Sequence, residues 1–227
     1  FCSHPSRRSK QSNPSGDILL LSFDFDWELV VECHGVLQDL NIKFAIIGGV
    51  SMVIHGSSRY TEDLDILVGE QEFGKLENEL DDNFHFRFDN ENINNFGSED
   101  MLCYKYSSNW DDEHPTFIQV EFLRDTPTFF KPKLKDKNII SLSDFNTIQL
   151  PDLLNLKLRA YERTINKITA QKHLTDIRWL LEKKGNDLIG TQIWKNNCPT
   201  LKKLLTEVLE INIVLGQKRK LILSQEI

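Results

Sequence analysis

Apolar and polar positions alternate along this chain with periods that name its elements. Trp27, Val30, Val31, Val36, Leu37 and Leu40 recur at near-helical spacing, which predicts a helix over roughly 26–40 capped by Asp24 or Asp26. The run Phe44 to Ile47 is too short for a helix and β-branched at its end, so it reads as a buried strand that Gly48-Gly49 terminates. A second strand follows in Asp63-Leu-Asp-Ile-Leu-Val68. Glu70 to Leu80 sets Phe73, Leu76 and Leu80 on one side of an amphipathic helix, which Asp81-Asp82-Asn83 stops. Phe84 to Phe88 alternates as an edge strand, Asp89 to Asp100 is a polar loop, and Met101 to Tyr106 is another strand. In Thr116 to Leu123 the alternation puts Phe117, Gln119, Glu121 and Leu123 on one face, opposite Ile118, Val120 and Phe122.

Beyond this point the period changes. Ile139 to Leu142 and Thr147 to Leu150 are short extended pieces ahead of Pro151, whose fixed φ suits a first helical turn. Leu153, Leu154, Leu156, Leu158, Ala160 and Tyr161 mark one helix. Leu174, Ile177, Leu180 and Leu181 mark a second that stops at Gly185, and a third spans about 200–215. With no internal repeat, the chain divides into a mixed α/β front over 17–150 and a helical rear over 151–227, preceded by a Ser-, Arg- and Pro-rich arm over 1–16 that reads as disordered.

Composition narrows the class. A chain of 227 residues with 40% hydrophobic content can bury a substantial core. The formal charge of −7 argues against broad nucleic-acid binding by phosphate neutralisation. Lys131, Lys133, Lys135 and Lys137 alternate as a local basic run, either a patch for such a ligand or a solvated loop. Cys2, Cys33, Cys103 and Cys198 lie far apart without zinc or redox spacing, so reduced, buried thiols are expected. Trp27, Trp110, Trp179 and Trp194 are expected to pack. No apolar run reaches the ~18 residues that span a bilayer. The expectation is a chain without membrane attachment, intracellular and cytoplasmic.

Asp63 and Asp65 change the picture. Two residues apart in a strand, they point to the same face, and Glu121 adds a third carboxylate in a strand interior. Like charges a few ångströms apart disfavour joint ionisation unless a cation offsets them. Mg2+, with Mn2+ as a substitute, is the natural counter-ion, because it takes a few carboxylates together with substrate phosphate oxygens. Gly48-Gly49 lets backbone come close to phosphates, and the helix behind it presents free N–H groups, with Ser51 adding a hydroxyl.

The combination Ile47-Gly48-Gly49, His55-Gly56, Arg59-Tyr-Thr61, Asp63-Leu-Asp65-Ile and Val120-Glu121-Phe-Leu, followed by Pro151-Asp-Leu-Leu-Asn-Leu-Lys157-Leu-Arg-Ala160, Arg163, Lys172 and Asp176-Ile, resembles the polymerase-beta-like nucleotidyltransferases. The likeness is to the minimal group that includes AbiEii-type toxins and similar fungal proteins, and it runs from about residue 42 to 181. It implies an α+β fold, a small mixed sheet flanked by helices, with 17–150 as the transferase core and 151–227 as a helical region packed on it. By the same resemblance Asp63, Asp65 and Glu121 are the catalytic metal ligands, Glu121 standing where the family usually has Asp. Gly48, Gly49, Ser51, Arg59, Thr61 and Lys157 bind the nucleotide. The expected activity is Mg2+-dependent transfer of a nucleoside monophosphate from an NTP to a hydroxyl, with release of pyrophosphate. The acceptor is a small molecule, a protein side chain or an RNA 3′ end. The alternatives are a nucleotide-binding or interaction module with the same fold and no turnover, and a phosphohydrolase using the same acids. Lys172 and Asp176, one helical turn apart, are either a surface ion pair or part of the site. His55 is a packing residue, and His114 and His173 receive no role.

Overall fold

A computed structural model describes residues 26–89, 100–126 and 134–188, together with 191, 195, 201, 203 and 204. The expected arm at 1–16, most of the polar loop before Met101, Lys131, Lys133, Cys2, Cys198 and Trp194 lie outside these residues. So does the third rear helix, apart from Leu201, Lys203 and Leu204, which are helical.

The first helix, α1 (Trp27–Asp39), begins where Asp26 accepts hydrogen bonds from the Glu28 and Leu29 N–H groups at 3.0 and 3.3 Å. That satisfies two of the backbone donors that a helix start leaves open. There follow β1 (Phe44–Ile46), α2 (Gly48–Ile54), β2 (Asp63–Val68), α3 (Phe73–Asp81), β3 (Phe86–Phe88), β4 (Met101–Tyr106), β5 (Ile118–Arg124), β6 (Ile139–Leu142) and β7 (Phe145–Ile148). Two helices complete the described chain, α4 (Leu150–Arg163) and α5 (Lys167–Leu188). The helix expected to stop at Gly185 instead runs through it. One glycine costs a helix about 1 kcal/mol, and no proline follows to break it.

Seven strands form one mixed sheet in the order β3-β4-β5-β2-β1-β7-β6. The β2–β5 and β1–β7 pairs are parallel and the others antiparallel. The fold is α+β, as the sequence implies. Alternation along the central strands feeds two cores. Leu64, Ile66 and Val68 of β2 join Val120 and Phe122 of β5, α1 and α3 on one face. Ala45 and Leu67 join α4, α5, Leu201 and Leu204 on the other. Asp63 and Asp65 share the Leu67 face, so the helices that cover Leu67 border the strand's two acids. Cys33 and Cys103 are free and buried, as expected.

Candidate active site

Pairing of β2 with β5 sets Asp65 beside Glu121 and Asp63 beside Gln119. Neighbouring strands lie about 4.8 Å apart and paired residues share a face, so three carboxylates are gathered on two adjacent strands. Their electrostatics follow from that crowding. Burial, then the charges of Asp63 and Glu121, push the Asp65 carboxyl up to about 8, against the opposing pull of Lys157 and of the Gly49 N–H that donates to it. Burial and then Asp63 also raise Glu121, opposed by a hydrogen bond from Gln119 Nε2 to Glu121 Oε1 at 3.1 Å.

The glycine turn abuts these acids. Gly48 has φ of 65°, in the left-handed region, and a Cβ there would run into the Asp65 carboxyl. A Cβ on Gly49 would run into Thr61 Oγ1 and come within 3.5 Å of Arg59 Cζ. Only residues without side chains let the turn approach this closely. Thr61 in turn donates from Oγ1 to the backbone oxygen and to Oδ1 of Asp63, both at 3.3 Å, which orients the first acid.

Arg59 and Lys157 arrive from opposite ends of the chain and meet on Asp176. Arg59 Nη1 lies 2.5 Å and Lys157 Nζ 2.7 Å from the same oxygen, Asp176 Oδ2. Lys157 and Asp176 are both buried, so the shared carboxylate offsets the cost of holding two cations out of water. Asp176 therefore belongs to the site, and Lys172 stays exposed without joining it. His173, which the sequence gave no role, sits one turn before Asp176. Burial and then Lys157 lower its pKa, and its buried Nδ1 has no hydrogen-bond partner among the described residues. An i, i+3 relation to Asp176 on one helix face was the available signal.

Ser51 is placed differently from the other residues. It is fully buried, and its hydroxyl lies 2.8 Å from Thr147 Oγ1, which donates to the Ile46 oxygen at 3.0 Å. The Ser51 side chain ties α2 to β7 and is not brought to the carboxylates. His55 packs as expected, with Nε2–H donating to the Ile148 oxygen at 2.9 Å.

Among the described residues no group of three or more His, Cys, Asp or Glu side chains forms a ready cage for a metal ion. Asp63, Asp65 and Glu121 nonetheless present oxygen donors with strong mutual repulsion on one face. That donor set suits a hard divalent ion that keeps several waters and takes further oxygens from substrate.

A family model described as "Nucleotidyl transferase AbiEii toxin, Type IV TA system" matches residues 33–200, well over half of the chain. The chain belongs to the AbiEii family. Every site residue described above falls inside the matched span. A search of curated proteins returned no match. Among solved structures, an antigenic nucleotidyltransferase-like protein from Paracoccidioides brasiliensis aligns at a TM-score of 0.56 with 18% identity, covering 86% of this chain and 93% of that one. The antibiotic-resistance factor ANT(2'')-Ia aligns at 0.51 with 10% identity, covering 81% and 96%. At these identities the two neighbours support the AbiEii chain's fold and nothing narrower. No helix among the described residues is long and apolar enough to cross a membrane.

Proposed function

We propose that this AbiEii-family chain is a Mg2+-dependent nucleotidyltransferase that moves a nucleoside monophosphate from an NTP to a hydroxyl acceptor and releases pyrophosphate. The observation that carries this reading is the Gly48-Gly49 turn packed against Asp65 on a face where Asp63 and Glu121 crowd it, with burial and those two charges raising the Asp65 carboxyl. A charge conflict of this kind on two central strands is costly to keep without a cationic ligand. Asp63 and Asp65 would hold the ion, with Mn2+ as a substitute, and Glu121 would add a donor from β5. When bound, such an ion supplies charge stabilisation at the attacking and leaving oxygens of an in-line displacement.

The chain's own residues divide the remaining work. The Gly48-Gly49 backbone offers the close approach that a triphosphate needs. Arg59 and Lys157, held by Asp176, supply the positive charge facing that phosphate chain. Thr61 keeps Asp63 in place. Glu121, whose carboxyl burial and Asp63 raise, accepts the proton of the acceptor hydroxyl as its oxygen bonds to the α-phosphorus and the bond to the pyrophosphate oxygen breaks.

A second reading, a nucleotide-binding module without turnover, is favoured by Glu121 itself. Its longer arm replaces the family's usual Asp, and its Oε1 is already engaged by Gln119. Incubation with each α-labelled NTP and Mg2+ beside the Asp63→Ala/Asp65→Ala variant separates the two. Transfer of label that the variant abolishes supports the enzyme, and label released only as free monophosphate points to hydrolysis. Mg2+-dependent NTP binding without transfer supports the module. Absence of both transfer and Mg2+-dependent binding overturns the reading.

A further inference from the structure

We propose that the acid-bearing face of the sheet continues into an acceptor platform, built from Phe117, Trp110, Arg87 and Lys105, that takes an acceptor with a planar ring and a negative charge. This rests on the transferase reading above. Gly49, Arg59 and Lys157 flank the aspartates on the side assigned to the donor. In-line displacement sets the attacking hydroxyl opposite the leaving pyrophosphate, so the acceptor enters from the other side, over Glu121. There the register carries the same face outward without a break. Asp63 pairs with Gln119, Gln119 with Lys105, and Lys105 with Arg87 on the edge strand.

Phe117, two residues before Gln119, shares this face and is 48% exposed. Trp110 stacks on it, with ring centroids 6.1 Å apart and planes 20° from parallel. The indole is fixed by its Nε1–H donating to the His85 oxygen at 2.8 Å. Arg87 Cζ lies 4.3 Å from the Trp110 ring centroid and Lys105 Nζ 5.4 Å from that of Phe117. Lys105 is also 3.6 Å from Asp89, while Arg87 is exposed. Phe117 is exposed and Trp110 half-buried, and aromatic surface with cations lying over it offers stacking and charge to the same ligand. Phe117, just before β5 begins, lies four residues from Glu121, roughly 13 Å along the extended chain. The ring of the acceptor and its reacting hydroxyl are therefore roughly 13 Å apart, and in a chain of net charge −7 Arg87 and Lys105 give this edge a local attraction for an anion.

The test follows the Trp110 indole N–H signal by NMR in the full chain, assigned through its loss in Trp110→Phe. With Mg2+ and a non-hydrolysable NTP in excess to fill the donor site, 2-naphthyl phosphate is titrated against 2-naphthol and inorganic phosphate. The expected result is saturable movement of the Trp110 signal by naphthyl phosphate. Apparent affinity falls at least about tenfold when ring or phosphate is missing, and by a similar factor in Phe117→Leu and Arg87→Gln. Equal response to all three probes, no saturable response, or indifference to both substitutions overturns the platform and marks the cluster as a solvated edge of the sheet. The Asp63→Ala/Asp65→Ala variant keeps the Trp110 response while losing Mg2+-dependent NTP binding. Failure of the platform and failure of the transferase reading are therefore read from different signals.

Discussion

Gly48 and Gly56 both have positive φ, 65° and 93°, but only Gly48 has a neighbour where a side chain would go. Gly56→Ala meets nothing within 4 Å, so it costs backbone strain alone, roughly 1–2 kcal/mol, and leaves Mg2+-dependent NTP binding intact. Gly48→Ala carries the same strain and also drives Asp65 out of position, so it lowers the melting temperature further and removes that binding. Thermal unfolding and calorimetric titration of the two variants check this, and equal NTP binding in both would sink it. Asp176 offers the complementary case. Replacing it with Ala strands a buried lysine and a partly buried arginine without their shared carboxylate, a loss of about 3 kcal/mol or more. Urea unfolding of Asp176→Ala should show the free energy of unfolding lowered by that amount, which at an m-value of about 1–3 kcal/mol/M moves the midpoint down by roughly 1–3 M. A change below 1 kcal/mol would mean that the two cations find other partners.

Among the elements, α1 and the β6–β7 hairpin are joined through one imidazole. The Asn146 N–H donates to His34 Nε2 at 3.0 Å, and the ring packs edge-on against Phe44 and Phe145. Burial lowers the pKa of His34, so the fold prefers the neutral ring. Unfolding then takes up a proton. The contribution is fully present above the ordinary value near 6.5 and is lost as pH falls through the lowered folded value. Between pH 7.5 and 5 His34 should cost the parent stability that His34→Gln does not lose, against the opposite pull of the raised Asp65 and Glu121 carboxyls, so the substitution should shift the slope of melting temperature with pH. Identical slopes would rule His34 out as a contributor. The strand β5 was legible because it alternates cleanly, and that alternation, with the two-residue spacing of Asp63 and Asp65 in β2, put Glu121 on the same kind of face as the aspartates. The length of α5 was not, because a glycine at 185 reads as a stop but lacks the following residues that enforce one. Asp176 was half-legible. Its spacing from Lys172 pointed to a local pair, whereas its partners come from the loop before β2 and from α4, which only tertiary packing brings together. Ser51 was misleading for the same reason, since the Thr147 that takes its hydroxyl lies 96 positions away.

At the scale of the molecule, the three crowded carboxylates cost the fold stability. Asp63, Asp65 and Glu121 repel one another, and Lys157 and the Gly49 N–H only partly offset this. Asp65→Asn keeps an acceptor for the Gly49 N–H and removes one charge. With EDTA at pH 8.5 this variant should melt higher than the parent protein, and added Mg2+ with NTP should stabilise the parent alone. Parallel melts in the two buffers check this, and a variant that melts lower in EDTA would show that the charges are already compensated within the chain.

The parallel pairings described for the sheet also bear on how the chain is made. Asp63 and Asp65 leave the ribosome well before Glu121, Lys157 and α5, and the Arg59–Asp176 contact spans 117 positions. At ordinary elongation rates that interval is on the order of ten seconds. For roughly the first half of it β2 has no β5 to pair with, and closing so long a loop must precede any gain from the contact. The nascent chain thus carries its acids, and the exposed strand beneath them, for seconds before a transferase site can exist.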